Sequence, residues 1–134
     1  KYRLSNYDNI YSMVKSAIIL AGGKGERLRP FTNDRPKPMV EISGKPILAY
    51  QLDQLKRAGI EKVVFACSYQ REALQKHLGS GSKYGIKALF SIEETPLGRG
   101  GGIKKAMQML PQDWKDVVVV NGDNLWKLDL EGLH

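Results

Sequence analysis

The chain alternates short apolar runs with longer segments in which apolar side chains recur at helical spacing. The spacing of Leu48, Leu52 and Leu55, for example, predicts one buried helix face. Strands that alternate with helices in this way favour a mainly parallel sheet with helices packed on its faces. We therefore predict a three-layer α/β/α sandwich in which ligands bind at the carboxyl ends of the strands. The predicted strands are residues 17–20, 62–66, 87–92 and 117–120.

Proline, glycine and serine mark where the predicted helices begin and end. Pro46 stands at the first position of one helix, and Gly59 closes it. Ser68 is placed to cap the next helix, which stops at Gly79. Pro111 halts the last helix. The apolar stripe of that helix comprises Ile103, Ala106, Met107 and Leu110.

A glycine-rich turn follows the first predicted strand and leads into a basic segment. Residues 20–39 read L-A-G-G-K-G-E-R-L-R-P-F-T-N-D-R-P-K-P-M. Its glycines let the backbone bend sharply and approach a ligand, and successive N–H groups in such a turn bind phosphate oxygens. Residues 24–37 contain five cations and two carboxylates, which is net +3 of the chain's +7. This segment therefore predicts a polyphosphate site.

Two common phosphate-binding motifs do not fit this turn. A Walker-type loop requires G-x-x-x-x-G-K-[ST], and no Gly-Lys pair in the turn is followed by Ser or Thr. The dinucleotide fingerprint G-x-G-x-x-G begins at Gly23 and Gly25, but Leu28 stands in place of the third glycine. The glycine turn must therefore belong to another class of phosphate-binding loop.

Composition excludes several classes of protein. No apolar run approaches the roughly 18 residues that a membrane span needs, and the first residues lack the apolar core of a signal peptide. The one cysteine, Cys67, leaves no internal disulfide and fits a reducing compartment, so the cytoplasm is the simplest placement. No nucleic-acid-binding motif accompanies the positive charge. We therefore predict neither a nucleic-acid nor a membrane partner.

The glycine turn joined to R-P-K-P-M closely resembles the signature of the sugar-1-phosphate nucleotidyltransferases, in a style closest to the mannose- and heptose-1-phosphate guanylyltransferases. The resemblance implies a Rossmann-like fold of the nucleotide-diphospho-sugar transferase type. We expect residues 13–134 to be the nucleotide-binding part of such a domain, with its sugar-binding part absent. Residues 1–12 are interpreted as a tag, a linker or an upstream tail. The resemblance is also compatible with a homo-oligomer.

The resemblance implies that a nucleotidyl group passes from a nucleoside triphosphate to a sugar 1-phosphate, which yields an NDP-sugar and pyrophosphate. The nucleophile is already a phosphate oxygen, so the reaction needs cations, oriented donors and Mg²⁺ rather than Ser, Cys or His. Arg27 would engage the triphosphate, and Lys37 would neutralise phosphate charge. Asp123 would hold Mg²⁺ against phosphate oxygens. The nucleotide would also contact Leu20, Ala21, Gly22, Gly23 and Gly25.

A further match lies at residues 93–102, E-E-T-P-L-G-R-G-G-G. They resemble the E-x-x-P-L-G-T-[AG]-G segment that contacts base and ribose in the family, which implies nucleotide contacts for Glu94, Pro96 and Gly98. Arg99 replaces the threonine of that segment, and it either adds a cation near the nucleotide or points into solvent. The P-L-G form with repeated glycines favours GTP as the nucleotide.

An alternative interpretation is a regulatory or scaffold paralogue that binds nucleotide without turnover, and Arg99 is the best support for it. Even as an enzyme, these 134 residues alone are expected to be inactive, because the resemblance assigns the sugar site to the other half of the domain. Neither histidine nor the cysteine is given a catalytic role. His77 is predicted to be solvated or to cap a helix, and Cys67 to be a small residue at a strand end.

Overall fold

The computed structural model describes residues 14–23, 27, 29–95, 97–111 and 116–122. The elements in chain order are β1 (Ser16–Leu20), β2 (Glu41–Ile42), β3 (Lys45–Pro46), α1 (Ile47–Arg57), β4 (Lys62–Cys67), α2 (Arg71–Leu78), β5 (Lys87–Ile92), α3 (Gly98–Met107) and β6 (Val117–Asn121). Short 3-10 turns cover Lys37–Met39 and Ser82–Tyr84. Among these residues, the main sheet has four parallel strands in the spatial order β5, β4, β1, β6. The predicted parallel α/β fold is confirmed.

The core lies on both faces of this sheet, because successive side chains along a strand point to opposite sides. On one face, Ala17 and Ile19 of β1 belong to the same cluster as the buried leucines of α1 and α2. On the other face, Ile18 clusters with Ala106 of α3 and with Leu110. Helices therefore cover the sheet on both sides, as the three-layer prediction requires.

The strand register brings four carboxyl ends to one edge of the sheet. Leu20, the last residue of β1, lies opposite Ala66 of β4 on one side and Asn121 of β6 on the other. Cys67 at the end of β4 lies opposite Ile92 at the end of β5. The connections that follow these strands therefore leave the sheet at the same edge, where parallel α/β proteins bind ligands.

The helix ends agree only in part with the predictions. Gly59 follows α1 with a φ of +91°, and Gly79 ends α2, both as predicted. Pro46 precedes the first helical residue, so α1 begins one residue later than predicted. The prediction that Ser68 caps α2 is wrong, because that helix begins at Arg71 and has no side-chain cap.

The predicted apolar stripe of α3 is also only partly right. Ala106 is buried, but Met107 is 47% exposed and is the last residue of the helix. Leu110 is buried beyond the helix end. Glycine occupies four of the first five positions of α3, so the helix has few side chains with which to define an apolar face. Within the described residues, no helix combines the length and hydropathy needed to cross a membrane.

A two-residue turn joins β2 and β3 into a hairpin that was not predicted. Ser43 and Gly44 both have positive φ, 54° and 76°, as the tightest hairpin turns require. The Tyr50 hydroxyl of α1 donates a 2.8 Å hydrogen bond to the Ile42 carbonyl. The hairpin is thereby attached to the helix that follows it.

Candidate functional site

A pocket of about 620 Å³ opens at the carboxyl edge of the sheet. The ends of β1, β4 and β6 contribute to it, as do the connections that follow β1, β4, β5 and β6 and the 3-10 turn Lys37–Met39. The lining residues are Leu20, Ala21, Gly22, Gly23, Lys37, Pro38, Ala66, Ser68, Tyr69, Glu93, Glu94, Gly98, Arg99, Asn121 and Gly122. Segments that are far apart in the sequence thus form one cavity.

The glycine turn leaves the sheet on one side of this pocket. Ala21 is buried, and its N–H donates to the Ala66 carbonyl at 2.8 Å. Gly22 and Gly23 are exposed, and Gly23 has a φ of +99°, which residues with a side chain rarely adopt. An exposed glycine backbone of this kind is suited to binding an anion through its N–H groups.

Lys37 is fixed between two prolines beside the glycine turn. Pro36 and Pro38 are buried, whereas Lys37 is half-buried and lines the pocket. The Met39 N–H donates to the Pro36 carbonyl at 2.9 Å and closes the 3-10 turn. Because proline restricts its own φ, the backbone on both sides of the lysine has little freedom. The ammonium group can therefore reach the pocket from a rigid support.

The end of β6 is held by contacts from β1 and α1. The Gly122 N–H donates to the Leu20 carbonyl at 2.9 Å. The Gln51 side chain of α1, which is 1% exposed, donates from Nε2 to the Asn121 carbonyl at 2.8 Å. A buried amide on the neighbouring helix thus helps to set the backbone at the pocket edge.

The connection after β4 is bound to the basic segment 29–36. The Tyr69 hydroxyl donates to the Thr32 carbonyl at 3.2 Å, and Gln70 Nε2 donates to the Asn33 carbonyl at 3.3 Å. Gln70 has a φ of 55°, a left-handed conformation that is unusual for a residue other than glycine. These tertiary bonds explain why the chain turns here instead of starting the helix at the predicted cap Ser68.

The connection after β5 supplies two carboxylates, Glu93 and Glu94. Glu93 Oε2 accepts a hydrogen bond from the Leu97 N–H at 3.4 Å. A Cβ on Gly102 would lie 2.5 Å from Glu93 Oε1, so the glycine leaves room for this carboxylate against α3. Glu94 Oε2 is 3.4 Å from Arg71 Nη1 of α2. Contacts at the start of α3 and on α2 therefore hold both carboxylates in place beside the pocket.

Cys67 and His77 lie outside the pocket lining. Cys67 is buried, and this burial raises the pKa of its thiol to about 11. The thiol is therefore protonated at neutral pH and is a poor nucleophile. His77 is half-buried and shares a 2.6 Å hydrogen bond with the Tyr84 hydroxyl. It is therefore bonded to a neighbouring side chain, whereas the sequence predicted a solvated or helix-capping histidine.

The structure brings most of the predicted site residues together. Seven of them line the pocket: Leu20, Ala21, Gly22, Gly23, Lys37, Glu94 and Gly98. Arg27 is exposed and is not among the lining residues. Gly25, Pro96 and Asp123 lie outside the described residues. Among the residues that the structure does describe, no three His, Cys, Asp or Glu side chains form a group that could hold a metal ion.

Several lining residues were not predicted as part of the site. Ser68 and Tyr69 follow β4, and the rule that ligands bind beyond the carboxyl ends of parallel strands could have indicated them. Glu93 is adjacent to the predicted Glu94, and only the fold shows that both line the cavity. Arg99 also lines the pocket and is exposed, so it lies at the cavity while remaining accessible to solvent.

Comparison with known proteins identifies the family. Residues 16–133 match the family described as Nucleotidyl transferase. The chain belongs to this family. It is 42% identical over 114 residues to a D-glycero-alpha-D-manno-heptose 1-phosphate guanylyltransferase of Aneurinibacillus thermoaerophilus, a match that covers 85% of the chain and 48% of that protein. A mannose-1-phosphate guanylyltransferase of Mycobacterium tuberculosis is 42% identical over 117 residues, which are 87% of the chain and 32% of that protein.

A solved structure shows the same fold. The crystal structure of HddC from Yersinia pseudotuberculosis complexed with GMP-PN matches with a TM-score of 0.69 and 36% sequence identity. That match covers 82% of the chain and 48% of the HddC chain. The chain thus spans about half or less of the length of the relatives it resembles.

Proposed function

We propose that the protein carrying this chain transfers a guanylyl group from GTP to a sugar 1-phosphate and releases pyrophosphate. One observation carries the proposal: a single pocket joins the glycine turn, Lys37 and the connection after β5. Family membership supports nucleotidyl transfer. The guanylyltransferase names of the relatives support GTP and a sugar 1-phosphate as substrates. Because the chain spans only part of those relatives, we assign to it the binding of the nucleotide and not the whole reaction.

The proposed reaction places two anions next to each other. An oxygen of the sugar phosphate attacks the α-phosphorus of GTP, a new P–O bond forms, and the bond from the α-phosphorus to the oxygen that bridges it to the β-phosphate breaks. Pyrophosphate leaves with the electron pair. The N–H groups of Gly22 and Gly23 and the ammonium of Lys37 would bind phosphate oxygens, because preorganised donors and cations stabilise the charge that develops. No protein nucleophile is needed, which agrees with a buried, protonated Cys67.

We also propose Mg²⁺ as the cofactor, held by Asp123. Oxygen ligands are those that Mg²⁺ prefers, and a carboxylate shared with substrate phosphates is its common arrangement. The support comes from Gly122, which lines the pocket and immediately precedes Asp123 in the sequence. When bound, the ion would neutralise phosphate charge and orient the triphosphate.

Pyrophosphate release by the full-length protein tests the function. GTP, ATP, UTP and dTTP are each combined with mannose-, heptose- and glucose-1-phosphate, with and without Mg²⁺. We expect Mg²⁺-dependent release with GTP and with mannose- or heptose-1-phosphate. Lys37→Ala should reduce it by roughly tenfold or more, since a charge-assisted contact is worth about 1.5 to 3 kcal/mol. Lys76→Ala, which removes an exposed cation of α2 outside the pocket, should not.

Two results would contradict this assignment. Tight GTP binding without release for any sugar phosphate would favour the paralogue that binds nucleotide without turnover. Equal losses in Lys37→Ala and Lys76→Ala would show that the effect reflects net charge and not the pocket.

A further inference from the structure

The connection after β5 and the first turn of α3 place opposite charges at the same cavity. Glu93, Glu94 and Arg99 all line the pocket. Glu94 is paired with Arg71, and Glu93 accepts from the Leu97 N–H. Within the described part of the chain, neither a hydrogen bond nor an ion pair holds the Arg99 guanidinium. It is therefore available to a ligand, although two carboxylates lie only a few residues before it in the sequence.

The hydrogen-bonding groups of guanine are complementary to the two carboxylates and the guanidinium that line the pocket. One edge of the base carries two donors, N1–H and the N2 amino group, and a carboxylate offers only acceptors. Another edge carries two acceptors, O6 and N7, which a guanidinium contacts with two parallel N–H bonds. Adenine carries an amino donor in place of O6, so it would leave one N–H of the arginine without an acceptor.

We propose that Arg99 is a specificity-determining residue that binds the O6 and N7 atoms of the guanine base. This inference rests on the proposed GTP site, and it adds to that site a side chain that contacts the guanine base. An arginine suits this task better than a lysine, because its planar fork makes two bonds in a fixed geometry. The proposed contact is separate from phosphate binding, for which the glycine turn and Lys37 are the candidates.

Nucleotide binding to full-length variants tests the contact atom by atom. Dissociation constants are measured calorimetrically for GTP, 7-deaza-GTP, which lacks N7, and ATP, all with Mg²⁺. The variants are Arg99→Ala, Arg99→Lys and the control Lys104→Ala, which removes an exposed cation of the same helix outside the pocket lining. A bidentate arginine–guanine pair is worth roughly fivefold to a hundredfold. Loss of N7 should cost the unmodified protein about threefold to tenfold.

The expected result is a loss of discrimination, not a uniform loss of binding. Arg99→Ala should bind GTP and 7-deaza-GTP equally, whereas Lys104→Ala should keep the whole difference. Arg99→Lys should keep only part of it, because an ammonium lacks the planar fork of the guanidinium. Arg99→Ala should also narrow the preference for GTP over ATP by about tenfold. This pattern would separate a base contact from a general effect of positive charge.

Other results would overturn the inference. An equal loss for GTP and 7-deaza-GTP in Arg99→Ala would mean that the arginine attracts the phosphates or stacks on the base. Unchanged binding would mean that it stays in solvent. Both outcomes leave the proposed function intact, because GTP still binds to the unmodified protein. If the unmodified protein bound none of these nucleotides, the proposed function would fail together with the inference.

Discussion

Pro38 and Gly122 pack so closely that a Cβ on Gly122 would lie 2.8 Å from Pro38 Cγ. The same Cβ would lie 2.8 Å from the Leu20 carbonyl oxygen, which accepts the hydrogen bond of the Gly122 N–H. This contact joins the 3-10 turn that carries Lys37 to the end of β6. The position of the lysine beside the glycine turn thus depends on a residue without a side chain 85 positions later.

Gly122→Ala should therefore destabilise the protein and weaken nucleotide binding. The added methyl group must displace Pro38 or the backbone at Leu20, and overpacking of this kind costs about 1 to 3 kcal/mol. Gly100→Ala is the matched control. Apart from its chain neighbours and the backbone of its own helix, no atom lies within 4 Å of a Cβ at that position, and alanine in a helix gains up to about 1 kcal/mol over glycine.

Urea unfolding of both variants, together with GTP titration, checks this prediction. We expect a lower midpoint and weaker binding for Gly122→Ala, and an unchanged or higher midpoint for Gly100→Ala. A stable Gly122→Ala variant with normal affinity would show that the turn at Lys37–Met39 can move aside without a loss of stability or GTP binding.

Gln51→Met should lower the free energy of unfolding by about 1 to 3 kcal/mol. The change keeps the length of the side chain but removes the Nε2 donor to the Asn121 carbonyl, and an unsatisfied buried polar group costs about this much. Gln108→Met, an exposed position just after α3, should stay within about 0.5 kcal/mol. Denaturant melts of the two variants measure the difference. Equal and small effects would mean that water replaces the lost donor.

His77 should make the protein less stable in mild acid. Burial first, and the Lys83 ammonium second, lower the pKa of His77 below 6.5 in the folded state. A protonated histidine is then less favourable in the folded than in the unfolded chain. Its contribution is present above pH 6.5 and is lost as the pH falls from 6.5 through the lower folded pKa.

The free energy of unfolding at pH 5 and pH 7.5 measures this effect. The drop between the two values should be larger in the unmodified protein than in His77→Gln, which cannot titrate. Carboxylates titrate in both proteins and cancel in the comparison. Equal drops would show that His77 has the same pKa in the folded and unfolded states.

Much of the fold could be predicted because its signals are local. The valine run of β6 and the leucine spacing of α1 each specify an element through their own side chains. Gly59 and Gly79 end helices because a positive φ is needed there, which glycine adopts without steric cost. The hairpin was missed although its signal was present, a Ser-Gly pair at residues 43 and 44 between short extended segments.

The remaining features depend on contacts between distant parts of the chain. Ser68 fails as a helix cap because Tyr69 and Gln70 bond to residues 32 and 33, which no local pattern reveals. The position of Arg99 at the pocket was open for the same reason, since α3 is placed there by its packing against β1, β4 and β5. The motifs predict a candidate site, but the sequence does not show which motif residues line one cavity.

Arg27→Ala should lower turnover without changing the stability of the fold. Arg27 is exposed, so the substitution should change the free energy of unfolding by no more than about 0.5 kcal/mol. If Arg27 engages the triphosphate during the reaction, the loss of a charge-assisted contact worth about 1.5 to 3 kcal/mol should lower turnover by roughly tenfold to a hundredfold. The pocket lining does not include Arg27, so this role requires the side chain to move toward bound nucleotide. The effect should then be larger on kcat than on GTP affinity.

Lys76→Ala serves as the control for the loss of one exposed cation. A fall in melting temperature with turnover unchanged would instead make Arg27 a structural residue.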